Sequence, residues 1–394
     1  MSAPAPGPDR PPPLTLTLTG AHVLHPGGLS DAPLSLGNGL VVQDPAPRKV
    51  DLSGFIVLPG IVDAHGDGFE RHLAPRRGAM KDIDQGLIAA EAELAANGIT
   101  TAVLAQFYSW EGGMRSPDFA ERVFAGIDQI AGRVMTDLHR QLRFEIPMLE
   151  DYDDLEAFVA RHALRYVVFN DHLPHEALAK GKRPPRLTGQ ALRIGRNPEK
   201  HLEMMQQMHA RRDEVEAAAG ALAQRLTAAG ILLGSHDDRS AEARATWRRH
   251  GVRVAEFPET TAAIEEARAG GDPVIMGAPN VVRGGSHNGN LSATEAVIMG
   301  HCDVLASDYH YPSLKRAAFF LVDSGIADLA QAWALISSGP AALLGLRDRG
   351  QLAAGLRADL VIIEAHSRAI AATIAGGRIS YMSGAAAARF IASH

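Results

Sequence analysis

The sequence predicts an α/β protein, a (β/α)8 TIM barrel that carries a small β-sandwich domain formed from both chain termini. Through the middle of the chain, short apolar strands alternate with Ala/Leu/Glu-rich helical stretches, the pattern of βα units around a parallel sheet. Eight strand candidates fit that pattern, the number that closes a barrel. Both ends show instead short period-two strands separated by turn signals, the pattern of an antiparallel sheet.

Residues 1–13, MSAPAPGPDRPPP, form a Pro-rich leader with too little apolar content to fold and are expected to be a disordered tail. Leu14 to Thr19 alternates with period two, and HPGG and GNG turn signals precede Leu40-Val41-Val42. At the other end Ala358 to Ile363 is a strand, and Ala371 to Tyr381 is a hairpin turning at Gly376-Gly377. Residues 14–58 and 349–394 therefore pair into one composite β-domain, which leaves 59–348 for the barrel. Its strands are Ile56 to Asp63, Ile99 to Ala105, Leu142 to Ile146, Tyr166 to Phe169, Ile231 to Gly234, Val252 to Phe257, Val274 to Met276 and Val304 to Ala306. Pro198 to Ala229 is one or two helices, with His201 and His209 as exposed helix residues rather than ligands.

The 394 residues, 46% hydrophobic and 21% charged, suit one large globular domain with a smaller companion. A net charge of −6 gives no general attraction to nucleic acid or to an anionic membrane, so an anionic substrate needs a local cluster of cations. The lone Cys302 cannot form an intrachain disulfide and is expected to be a small buried hydrophobe in a reducing, cytoplasmic setting. The N-terminus has neither the basic nor the apolar region of an export signal, and no stretch is long and apolar enough to span a bilayer.

The active site of a barrel lies at the C-terminal ends of its strands. There the first candidate strand carries His65-Gly66-Asp67, the third Glu145, the fourth Asn170-Asp171-His172, the fifth His236-Asp237-Asp238 and the last Ser307-Asp308-Tyr309-His310. Residues i and i+2 of an extended segment share a side, so His65 and Asp67 reach toward one point. Imidazoles and carboxylates converging at a barrel mouth are ligands for Zn²⁺, Mn²⁺ or a related ion. Carboxylates gathered there without a cation would repel one another and be costly to desolvate.

LPGIVDAHGDGFERH, LRFEI, the histidine of NDH, HDD and the final SD together resemble the amidohydrolase superfamily of metal-dependent hydrolases. VAEFPET, GAPNVVRGGSHNGN and LASDYHYPSL resemble, more narrowly, the PhnM family of the carbon-phosphorus lyase pathway, over about Pro59 to Ala375. The resemblance implies hydrolysis of ribose 1-methylphosphonate 5-triphosphate to the 5-phosphate and pyrophosphate. It also implies that His65, Asp67, Glu145, His172, His236 and Asp308 hold one or two divalent ions, zinc first with manganese or iron as alternatives, and that Asp308 is the general base. The family usually has Thr and Asn where this chain has Gly66 and Gly68, and the segment KGKRPPRLTGQALRIGRNPEK also departs from it.

A phosphoanhydride substrate also suits the residues themselves, because charge that builds on phosphoryl oxygens needs fixed donors. Arg71, His72, Arg76 and Arg77 follow the first motif, and His310 and Lys315 follow Asp308. The loop with Asn280, Arg283, Gly284, Gly285, Ser286, His287 and Asn290 offers backbone N–H groups and two side-chain cations. The basic residues between Lys180 and Lys200 are balanced between a solvated loop and a triphosphate lid. The expected partner is a small phosphorylated molecule, not nucleic acid or membrane, and a homodimer is compatible. Two alternatives stand beside the diphosphatase: a deaminase or deacetylase acting on a C–N bond with the same metal site, and a catalytically silent scaffold, whose signature would be lost ligands.

Overall fold

The apolar run expected as one strand from Ile56 to Asp63 is two strands. In the computed structural model, which describes residues 10–74, 82–284 and 291–392, Phe55–Pro59 pairs antiparallel with Leu360–Glu364, and Ile61–Gly66 opens an eight-stranded parallel sheet. Gly60 is the joint between them. A Cβ there would lie 2.3 Å from Thr100 Oγ1 and 3.0 Å from Asp359 Cβ, so only glycine lets the segments approach. The fully buried Trp333 fastens the joint, donating its indole N–H to the Pro59 carbonyl at 2.9 Å.

The parallel sheet runs in sequence order through Ile61–Gly66, Ile99–Tyr108, Asp137–Glu145, Tyr166–Asn170, Leu232–His236, Val254–Glu256, Val274–Gly277 and Val304–Ala306. A parallel bridge between Gly66 and Asp308 brings its ends together, giving a nearly closed barrel with helices between the strands. Every residue of Ile99–Tyr108 is buried, as expected of a strand covered on both faces. Asp82, Ser240 and Thr260 start three of the helices by accepting a bond from the N–H three residues on, and Ser292 with Glu295 forms a reciprocal capping box.

The terminal strands form two further sheets. One has four strands, in the order Leu40–Val42, Leu34–Gly37, Leu16–Thr19 and Lys49–Asp51. The other has six, in the order Arg378–Met382, Ile370–Ala375, Leu360–Glu364, Phe55–Pro59, His22–His25 and Gly28–Ser30. Leu16, Leu18 and Leu36 from the first share a core with Val57, Leu360, Ile362 and Ile374 from the second. The expected hairpin is present, and Gly376 and Gly377 both take positive φ at its turn.

The chain divides into two compact units, Met1–Leu104 with Gly126–His139 and Ile275–His394, and Ala105–Ala125 with Arg140–Val274. Most of the expected leader, through Asp9, lies outside the described residues. Pro198 to Ala229 resolves into two helices, Pro198–Ala210 and Arg212–Ala228. The expectation that His201 is exposed is corrected: it is fully buried, because its helix turns that face toward Trp110. Cys302 is half-buried rather than buried, since it precedes the strand that begins at Val304.

Candidate metal centre and active site

In the first unit, His65, Asp67 and Asp308 each offer one ligand atom, and the three atoms lie within 4.8 Å of one another. Backbone pairing places them. The Asp308 N–H donates to the His65 carbonyl at 3.0 Å and the Asp67 N–H donates to the Asp308 carbonyl at 2.9 Å. Asp308 takes a left-handed φ of +55°, a conformation that Asp tolerates better than most residues and that ends the strand. Below this group Asp63 is fully buried and accepts bonds from Ser307 N–H at 3.0 Å and Ser307 Oγ at 2.5 Å. Burial pushes its carboxyl up to about 6, against the pull of those two bonds.

Gly66 and Gly68 now have a physical reason. A Cβ on Gly66 would stand 3.1 Å from Tyr311 Cε1 and 2.7 Å from Asp63 Oδ2, and one on Gly68 would stand 3.2 Å from Tyr311 Cζ. The Tyr311 ring fills the space that Thr and Asn side chains would need.

The expected substrate-binding residues of this unit are largely engaged. Glu93 holds both Arg71 and His72, the latter at 2.6 Å, and Arg71 also donates to the Tyr309 carbonyl at 2.9 Å. Arg283 bonds the Tyr309 hydroxyl and lies 5.4 Å from that ring's centroid. Asn280 is half-buried in the helix Ala278–Arg283, which Gly284 ends with φ +77°. His310 Nδ1 lies 2.7 Å from Ser313 Oγ, and burial followed by the charges of Arg316 and Arg71 lowers its pKa. Lys315 donates to the Arg368 carbonyl at 2.5 Å. Gly285, Ser286, His287 and Asn290, like Arg76 and Arg77, lie outside the described residues.

In the second unit, Glu145 is fully buried and turned onto His172. Its Oε1 lies 2.5 Å from His172 Nδ1, and its Oε2 accepts from the His172 N–H at 2.9 Å and from Trp110 Nε1 at 3.3 Å. Burial opposes protonation of His172, but the bond and charge of Glu145 outweigh it and raise the pKa. A carboxylate on Nδ1 leaves Nε2 as the nitrogen available to a metal. His236 lies 2.9 Å from Asp237 through Nδ1 and 3.1 Å from Arg143 Nη2 through Nε2. Burial, and then the Arg143 charge, lower the His236 pKa even though Asp237 works the other way. Burial also opposes the Asp237 charge, yet His236, Arg143 and His172 hold that carboxyl at about 2.

Several residues of this unit were missed in the sequence. Arg143 is buried, with its guanidinium 4.0 Å from the Phe107 centroid, and it stands two residues before Glu145, so the alternation that pairs His65 with Asp67 should have flagged it. Glu256 ends the sixth strand and takes bonds from Gln141 at 2.7 Å and Tyr166 at 2.5 Å. Arg244 anchors Asp238 at 3.2 Å and Ser235 at 2.8 Å, and it had no sequence signal, being one of many helix arginines. The basic segment is paired in part: Lys180 with Glu176, Arg183 with Glu199 at 3.2 Å, and Arg196 turned inward to the Trp110 carbonyl at 3.1 Å.

Among known proteins the chain is similar to the alpha-D-ribose 1-methylphosphonate 5-triphosphate diphosphatase of Escherichia coli K12, with 33% identity over 342 residues, 81% of this chain and 86% of the relative. The chain belongs to this diphosphatase family. Family membership makes it a metal-dependent hydrolase, and one imidazole with two carboxylates within 4.8 Å is a donor set that fits a divalent ion. Solved structures with the same barrel include the N-acetylglucosamine-6-phosphate deacetylase of Pasteurella multocida, at TM-score 0.62 and 10% identity over 93% of this chain and 99% of that one. The beta-aspartyl dipeptidase of Fervidobacterium islandicum AW-1 follows at TM-score 0.59 and 14% identity, over 94% and 98%. At such identities the likeness is one of fold. No family model matches the chain. Among the described residues no helix is long and apolar enough to cross a membrane.

Proposed function

We propose that this chain hydrolyses alpha-D-ribose 1-methylphosphonate 5-triphosphate to the 5-phosphate and pyrophosphate. The observation that carries this reading is a relative of that activity matched over 86% of its length. The donor group of His65, Asp67 and Asp308 supports it. These three would hold a divalent ion, zinc first with manganese or iron as alternatives. His172 and His236, at the ends of the fourth and fifth strands, are assigned as further metal ligands, with Glu145 acting through His172. When bound, such an ion supplies Lewis acidity and positive charge, acidifying water and offsetting charge on phosphoryl oxygens.

The protein groups do the rest. Asp308, its backbone fixed on both sides by the first strand, orients the attacking water and takes its proton. As the water oxygen bonds to phosphorus, the bridging oxygen leaves with pyrophosphate. Arg283 is the cation that recognises the polyphosphate. We place the reaction in the cytoplasm, a setting that suits a chain with one cysteine.

The test is hydrolysis by purified, zinc- or manganese-loaded protein. Pyrophosphate release from a ribose 5-triphosphate, with neither ammonia nor acetate from amide substrates, is expected. Amide hydrolysis without pyrophosphate would overturn the proposal in favour of C–N bond chemistry.

A further inference from the structure

We infer that Trp110 is a positioning residue, whose indole N–H, clamped by the segment from Leu173 to Met208, fixes the Glu145 carboxylate that orients His172. The inference rests on the assignment of His172 to the metal centre. Glu145 is fully buried and, among the described residues, has three donors around it: the His172 ring at 2.5 Å, the His172 N–H at 2.9 Å and Trp110 Nε1 at 3.3 Å. Two of these belong to His172 itself and move with it. Trp110 is therefore the one that ties the pair to a separate part of the chain.

Trp110 is in turn held firmly. It is 5% exposed and packs in a cluster with Leu173, Leu178, Leu187 and Met205. The His201 ring lies 5.7 Å from it, centroid to centroid. Arg196 donates to the Trp110 carbonyl and to His201 Nδ1, both at 3.1 Å, which leaves the His201 proton on Nε2. That Nε2 is buried and has no hydrogen-bond partner among the described residues, and burial lowers the His201 pKa, so the ring stays neutral and serves as packing. The helices His175–Ala179, Leu187–Arg193 and Pro198–Ala210 thus turn apolar side chains onto one indole, and Arg196 bonds its carbonyl. The segment from Leu173 to Met208, to which the stretch that departs from the family contributes Leu187 and Arg196, is a buttress for the histidine assigned to the metal centre. Outer partners of this kind set the ring orientation of a ligating histidine and its basicity.

The test compares the holoenzyme with Trp110→Phe, Met205→Ala and His172→Ala, by metal content after dialysis, metal release to a chromogenic chelator, thermal midpoint, and kcat and KM. Trp110→Phe keeps the packing and removes the donor. It is expected to release metal roughly tenfold faster and to lower kcat more than it raises KM, with little change in midpoint. Met205→Ala, which keeps the indole but loosens its clamp, should move release the same way by a smaller factor. Wild-type metal retention in both Trp110→Phe and Met205→Ala, while His172→Ala loses metal, overturns the role of Trp110. A lowered midpoint in Trp110→Phe with unchanged release marks a purely structural role and also overturns it. Full retention in His172→Ala shows instead that the assignment of His172 has failed, and the inference falls with it.

Discussion

Arg244 is a buried charge whose removal has a calculable consequence. Its side chain is fully buried and donates to Ser235 Oγ at 2.8 Å, to Asp238 at 3.2 Å and to the Val254 carbonyl at 3.2 Å, with Nε 3.2 Å from Asp272. In Arg244→Met, Asp272 keeps Arg248 at 2.7 Å and Arg253 at 2.6 Å. Asp238, with a 3% exposed side chain, keeps only Ser235 Oγ at 2.7 Å among its described side-chain partners. Breaking a buried pair by deleting one partner costs about 3–5 kcal/mol. Because one of the two carboxylates stays covered, about 3–4 kcal/mol is expected here. Burial already raises the Asp238 carboxyl against the pull of Arg244 and Ser235, and losing Arg244 raises it further. An acid whose folded pKa lies above its unfolded value is penalised once pH rises through the folded pKa, so the deficit should be largest at neutral pH and shrink on acidification. Urea unfolding followed by tryptophan emission, with Trp247 stacked on Phe169 in the same unit, measures it at pH 7 and pH 5. Adding Asp238→Asn should recover about 1–2 kcal/mol, because no charge is then left unpaired. A deficit below about 1 kcal/mol at pH 7, or no recovery in the double variant, would refute the reasoning.

Asp308→Asn should lower pyrophosphate release at least a thousandfold, on the order of a lost catalytic base, while circular dichroism stays native; retained turnover removes its assigned role. Arg283→Ala should weaken binding of tripolyphosphate more than of inorganic phosphate by calorimetry, and equal loss for both would speak against a polyphosphate cradle. Arg349 holds Asp137 at 2.6 Å and Thr101 Oγ1 at 2.8 Å. Burial opposes the Asp137 charge, but His139, Arg349 and Arg357 keep that carboxyl well below its usual range. A depressed acid contributes stability above its unfolded pKa and loses it as pH falls. Arg349→Met should therefore cost about 1–2 kcal/mol at pH 7, discounted for the partial exposure of Asp137, and the gap should narrow below about pH 4 in paired urea titrations.

The barrel strands could be read from the sequence because each is a short apolar run bounded by turn residues; seven overlap the runs that predict them, and the first starts only at Ile61, part-way along its run. The joint at Gly60 was hidden because apolar residues continue on both sides of it, and periodicity cannot divide a run that is buried in two different sheets. His65, Asp67 and Asp308 were legible because strand ends are marked in the sequence and their side chains are chemically distinctive. Trp110 and Arg244 were not. Their roles depend on which carboxylate each one faces, and only the fold supplies that. His201 shows the same limit in reverse: it sits in a helix of mixed polar and apolar residues, and burial comes from a tryptophan ninety-one positions earlier.

Phe55–Pro59 lies against Leu360–Glu364, about three hundred positions later. During synthesis the early strand leaves the ribosome long before its neighbour exists, so the nascent chain carries an unsatisfied apolar ribbon while the barrel strands emerge. Completion of the small sandwich is therefore a late event of long sequence separation, slow to search for and open to aggregation meanwhile. Cells making this polypeptide would gain from a chaperone that shields that ribbon until the last strands arrive.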